Sequence, residues 1–228
     1  MLTIDKFSIE KLFADFQGMK VLVIGDIMVD SYIWGKVDRI SPEAPVPVVS
    51  VTKRENRLGG AANVALNLQS LGAVPLLCSI SGNDQKADEF CQLLEKNHIS
   101  SGGILRSEKR ITTTKFRIIG NNYQMLRVDE EISQALTQPE TRTFYNHIER
   151  IAMAEKPQAI LFEDYDKGAI DIALITWVVE LAERMKIPVT VDPKKKNFSA
   201  YKNATLFKPN YKELCDGMKI ENIQRTPE

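Results

Sequence analysis

The sequence predicts an α/β fold: a doubly wound, mostly parallel sheet with a small β lid. Three observations predict it. Short, continuously apolar runs recur at residues 21–24, 75–80, 159–162, 188–191 and 204–207, as strands buried on both faces require. Helical patterns fall between them, at 61–71, 84–97, 139–155 and 170–185. Two further stretches, 46–51 and the pair 112–119 with 123–128, break the alternation and read as exposed β-structure.

Taken in order, Ile9, Leu12, Phe13 and Phe16 recur at helical spacing, so residues 8–17 are expected to form an amphipathic helix that Gly18 ends. The apolar run 21–24 is closed by Gly25, and Gly25-Asp26-Ile27-Met28-Val29-Asp30 follows it. Asp26 and Asp30 are thereby expected near the carboxyl end of the first strand, where open α/β sheets bind ligands. A carboxylate there either accepts hydrogen bonds from sugar hydroxyls or caps a loop or helix start.

Gly59-Gly60-Ala61-Ala62-Asn63 opens the next helix, which gathers small residues and backbone N–H groups at a helix N-terminus. Ligand contact and close packing on the sheet both account for that composition. Neither the GxGxxG nor the Walker A spacing is present. Gly72 is placed to end this helix. Gly120-Asn121-Asn122 joins 112–119 to 123–128, and its residues tolerate the positive φ of a tight hairpin. An extra β-lobe of about residues 31–57 and 110–129, hinged to the main sheet, is the economical reading.

Phe162-Glu163-Asp164-Tyr165-Asp166-Lys167-Gly168 follows a buried run and is expected to deliver three carboxylates to the rim shared with Asp30. Val191-Asp192-Pro193-Lys194-Lys195-Lys196 brings an acid and three bases, suited to a phosphate and its counter-ion or to a solvated loop. In Lys208-Pro209-Asn210-Tyr211-Lys212-Glu213, Asn210 is suited to cap a helix with Glu213 at its N3 position. His98 and His147 stand alone and suggest no nucleophilic triad.

The chain has 228 residues, 43% of them hydrophobic, enough for one sizeable α/β domain. Thirty basic residues balance thirty acidic ones, so no global field draws in nucleic acid or an anionic membrane. Asp5, Lys6, Glu10, Lys11 and Asp15 interrupt the N-terminus as no signal peptide allows, and no run reaches the ~20 apolar residues of a membrane span. Cys78, Cys91 and Cys215 lack metal-site spacing and read as free thiols of a reducing cytoplasm.

In this order the motifs resemble the PfkB, or ribokinase-like, carbohydrate kinases. Arg39-Ile40-Ser41-Pro42-Glu43-Ala44-Pro45-Val46-Pro47-Val48-Val49 narrows the resemblance to the heptose 7-phosphate kinase domain of ADP-heptose biosynthesis. Leu126-Arg127-Val128-Asp129, Asp164-Tyr165-Asp166-Lys167-Gly168-Ala169 and Pro209-Asn210-Tyr211-Lys212-Glu213 extend it over nearly the whole chain.

The resemblance implies transfer of the ATP γ-phosphate, with Mg2+, to the anomeric hydroxyl of D-glycero-D-manno-heptose 7-phosphate. It implies that Asp30, Gly59, Gly60, Asn63 and Asp164 hold the sugar, with Arg127 and, more loosely, Arg39 or Lys115 on the 7-phosphate. It implies that Asp192, Lys194, Asn210 and Glu213 serve the nucleotide phosphates and Mg2+, Glu213 acting on the metal indirectly. The β-lobe becomes a lid through which two subunits pair.

The family's Gly-Ala-Gly-Asp motif, which supplies the base and anion hole, does not occur here: after Gly120 the only glycines are Gly168 and Gly217. Residues 1–228 are accordingly read as one ribokinase-like domain truncated at its C-terminus, with negligible turnover expected from the chain alone. A sugar-phosphate-binding module without catalysis, or a kinase for another sugar, are the competing readings.

Overall fold

The structure, a computed structural model, describes residues 6–220. The expected C-terminal truncation falls after Ile220, outside the described residues. Six parallel strands form the main sheet: β1 (Lys20–Gly25), β4 (Val74–Gly82), β5 (Ile104–Ser107), β8 (Ala159–Glu163), β9 (Val189–Asp192) and β10 (Leu206–Phe207). They lie side by side in the order β10-β9-β8-β1-β4-β5. β1 is central, pairing with β4 on one side and β8 on the other.

Two helical layers cover the sheet, as the doubly wound pattern requires. On one face, α2 (Ala61–Ser70) and α3 (Gln85–Lys96) bury Ala61, Ala62, Ala65, Phe90 and Leu94 against Val21, Val23 and Leu77. On the other, α4 (Gln138–Glu155) and α5 (Ile172–Met185) pack Phe144, Ile148, Leu174 and Val178 onto Leu22, Ile24, Ile160 and Phe162. Each such fully buried large side chain contributes about 1.5–3 kcal/mol.

The helix starts are legible as chemistry. Asp84 accepts the Ala87 N–H and Asp171 the Leu174 N–H, and Thr137 with Glu140 forms a capping box. α1 (Lys6–Asp15) precedes β1, and Gly18, at φ 74°, donates its N–H to the Gly72 carbonyl. α5 ends with Lys186 left-handed at φ 57°. Because a Cβ disfavours that conformation, Lys186→Gly is expected to raise stability by about 0.5–1 kcal/mol, read as a higher urea midpoint at unchanged slope.

The second sheet holds β2 (Ile27–Ile40), β3 (Pro47–Gly60), β6 (Thr114–Gly120) and β7 (Tyr123–Glu130), ordered β3-β2-β6-β7. β2 and β6 run parallel; the other pairs are antiparallel. Asn121 and Asn122, at φ 51° and 67°, turn the β6–β7 hairpin as the sequence predicts. Its strands extend below the expected lobe, to Ile27 and Gly60.

Two elements differ from expectation. The segment after Gly25 is a 14-residue strand rather than a loop or helix start. Register shifts at Trp34/Gly35 and Val37/Arg39 break its period-2 pattern and conceal it. β5 was not foreseen, because Ile104 and Leu105 are too short an apolar run to register.

Candidate functional site

The lid sheet grows out of the carboxyl end of β1, through β2, which begins two residues after it. Asp26, first after β1 and only 3% exposed, sits at the junction. Its carboxylate accepts backbone N–H bonds from Tyr165 (2.9 Å), Lys167 (3.1 Å) and Ala169 (3.1 Å), and its carbonyl accepts the Ala61 N–H at 3.0 Å. Burial pushes this carboxyl above its ordinary pKa, only partly offset by those bonds. Of the two readings given to the aspartates, Asp26 takes the structural one.

Asp30 lies further along, within β2, and not at the end of β1 as expected. Its Oδ1 is 2.5 Å from Arg117 Nη1, a partly buried ion pair. Gly59 makes room for it: a Cβ there would stand 2.6 Å from Asp30 Oδ2. Gly60, at φ 59°, caps α2 without any side-chain bond, and a Cβ on it would collide with the Asp26 carbonyl. The two glycines thus serve close backbone packing and clearance for Asp30 together. Asn63 is exposed in the first turn of α2.

Asp164 departs from its expected role. It is 1% exposed, and its oxygens are taken by Tyr201 Oη (2.7 Å), Asn197 Nδ2 (2.9 Å) and the Asp166 N–H (2.9 Å). A carboxylate so satisfied anchors the 164–169 loop rather than reaching a ligand. Arg127, on β7, is half exposed and bound through Nε and Nη2 to Asp129 at 2.9 and 3.0 Å.

The remaining expected residues converge at the ends of β8 and β9. Glu213 bonds Lys194 through Oε1 and the Asn210 N–H through Oε2, completing a capping box at the start of α6 (Tyr211–Met218). Burial works to raise its pKa, but those bonds outweigh burial and hold it below the usual range. Lys194 Nζ also lies 5.3 Å above the Tyr165 ring, and Lys208 Nζ is 3.4 Å from Asp192 Oδ2.

Glu163, expected from sequence as one of three rim carboxylates but given no role there, completes this group. It is 6% exposed, pairs in register with Asp192, and is pushed up to about 7 by burial and by the Asp192 charge. Its signal was present in the sequence, an acid ending an apolar run one strand away from Asp192, but burial could not be read there. Arg117 and Arg57 were passed over; in register, Arg57 lies opposite Asp30 and Arg117 opposite Tyr32.

Two hard oxygen donors, Glu163 and Asp192, thus repel each other beside three bonded cations and acids. A divalent cation fits that surplus charge. No group of three or more His, Cys, Asp or Glu side chains among the described residues is arranged to hold a metal, so water and phosphate oxygens would complete its shell, as Mg2+ prefers. Among the described residues no helix is long and apolar enough to cross a membrane.

The family model described as pfkB family carbohydrate kinase matches residues 19–225. The chain is 43% identical over 205 residues to bifunctional protein HldE of Helicobacter pylori strain J99, covering 89% of this chain and 43% of that one. It is 38% identical over 209 residues to bifunctional protein HldE of Geobacter sulfurreducens, covering 92% and 42%. The chain therefore spans less than half the length of these curated relatives. Among solved structures, the tetrameric inhibited form of phosphofructokinase-2 from Escherichia coli superposes with TM-score 0.69 at 19% identity, covering 92% of this chain and 66% of that one. Arabidopsis thaliana ribokinase complexed with ribose and ATP gives 0.60 at 12%, covering 88% and 62%.

Proposed function

The chain belongs to the pfkB family of carbohydrate kinases, and from that premise we propose that it forms the acceptor-sugar side of a heptose 7-phosphate kinase, which transfers the ATP γ-phosphate to the anomeric hydroxyl. Kinases of this family take ATP with a divalent metal. The observation that carries the reading is the partly buried Asp30 carboxylate on the lid, cleared by Gly59 and paired with Arg117, together with the Lys194, Asp192 and Glu163 cluster at the ends of β8 and β9.

Each residue then has a physical task. Asp30 accepts sugar hydroxyls. The lid excludes water that would otherwise take the phosphoryl group. Lys194, oriented by Glu213 and held over Tyr165, neutralises phosphate charge as it develops. Asp192 and Glu163 would hold Mg2+, which when bound screens the nucleotide phosphates. Asn210 and Glu213 keep the first turn of α6 in place, so their part in phosphate binding is indirect. The exposed Leu126 and Val128 on β7 support pairing of the lid with a second copy.

Calorimetric titration of the purified chain with D-glycero-D-manno-heptose 7-phosphate, with and without Mg-ATP, tests this. Saturable binding is expected. ADP release, assayed in the same samples, would place a catalytic base within residues 1–228, and sedimentation reports pairing. A chain that folds but shows no saturable heat with this sugar would overturn the reading.

A further inference from the structure

The face of the lid sheet that bears Asp30 carries a basic seat beyond it. Tyr32 follows Asp30 on that face of β2, with its ring stacked on Trp34 at 5.2 Å and 14°. The Arg57 guanidinium lies 4.6 Å from the Tyr32 centroid and that of Arg117 5.2 Å, so one ring supports two guanidinium groups. Among the described residues their ion-pair partners are carboxylates of the chain itself: Asp30 for Arg117 and Glu55 for Arg57, at 2.5 Å in each case.

Guanidinium groups braced by aromatic rings suit planar, two-point recognition of a phosphate. Tyr32 stands two strand residues from Asp30, about 7 Å, which is of the order of a pyranose ring with its exocyclic carbon. Arg127, by contrast, sits on the outer strand, engaged by Asp129. We propose that Arg57 and Arg117 seat the phosphate at the far end of the sugar, and that this phosphate draws Arg117 off Asp30, freeing the carboxylate to accept a sugar hydroxyl.

This rests on the function proposed above, with Asp30 as the hydroxyl acceptor. It makes the substrate's own phosphate the trigger that prepares the acceptor site. An unphosphorylated sugar must break the Asp30–Arg117 pair without compensation.

Trp34 and Trp177 are the two tryptophans of the chain. Trp177 stacks on Tyr145, packed against the α4–α5 core rather than on the lid, so Trp177→Phe leaves Trp34 as the sole reporter. In that background, fluorescence titrations would use heptose 7-phosphate, the unphosphorylated heptose and inorganic phosphate. The phosphorylated sugar is expected to bind about tenfold or more tightly than the unphosphorylated one. Arg117→Met and Arg57→Met should each weaken binding of the phosphorylated sugar by about 10–100-fold. Arg117→Met should leave the unphosphorylated sugar bound as well as before or better. Arg117→Lys, which keeps the charge without the fork, should fall between and guards against misfolding of the methionine variant.

Equal weakening of both sugars in Arg117→Met overturns the seat while leaving the heptose reading standing. If neither sugar binds, but inorganic phosphate changes Trp34 emission in a manner lost on replacing Arg57 or Arg117, the heptose reading fails and the seat stands. A phosphate response untouched by either substitution sinks the seat.

Discussion

Asp26→Ala is expected to lower unfolding stability by about 3–5 kcal/mol. The substitution strips the Tyr165, Lys167 and Ala169 N–H groups of their acceptor at a residue that is only 3% exposed. Each buried donor left without a partner costs about 1–3 kcal/mol, with partial relief from water. The 164–169 loop, whose Lys167 also pairs with Glu131 at 2.7 Å at the base of the lid, should lose amide protection first. Asp26→Asn, which keeps one oxygen acceptor, should cost roughly half as much. Urea unfolding measures both; a loss under about 1 kcal/mol for the alanine variant would show that the three bonds do not anchor the loop.

Glu163→Gln should act in the opposite direction, and only above acid pH. The folded state raises this carboxyl from 4.5 to about 7. The folded protein therefore binds the proton more tightly than the unfolded chain does. Glu163 thus contributes stability that is fully present below pH 4.5 and is lost as pH rises through 7. Wild-type stability is expected to fall across that window by about 1–3 kcal/mol on account of this residue. In metal-free buffer, Glu163→Gln should be more stable than wild type at pH 8 by a similar amount and indistinguishable from it at pH 4.5. Parallel curves for the two proteins between these limits would contradict the assigned environment of Glu163.

The main sheet was legible because buried parallel strands leave uninterrupted apolar runs, and residues 21–24, 159–162 and 188–191 are such runs. The hairpin turn was legible because Asn121 and Asn122 tolerate positive φ. β2 was not: its bulges shift which residues face inward, so Asp30 was assigned to the end of β1 when it stands on the lid. The rim residues were found by motif, but their division of labour was not. Asp26 and Asp164 look like open carboxylates in sequence and are closed by N–H and O–H donors distant in the chain. Glu163 and Arg117 acquire their character only from burial and from partners, Asp192 and Asp30, that no local pattern connects to them.

The position of β1 at the middle of the main sheet also governs how the chain assembles during synthesis. Lys20 at the start of β1 donates to Gln158, 138 residues later, just before β8. At ~5–20 residues per second, one edge of β1 stays unpaired on the ribosome for roughly 7–28 s. The β2–β3 hairpin, whose partners are near in sequence, closes long before that. The β2–β3 half of the lid is thus built beside a strand edge of β1 that stays open until β8 emerges.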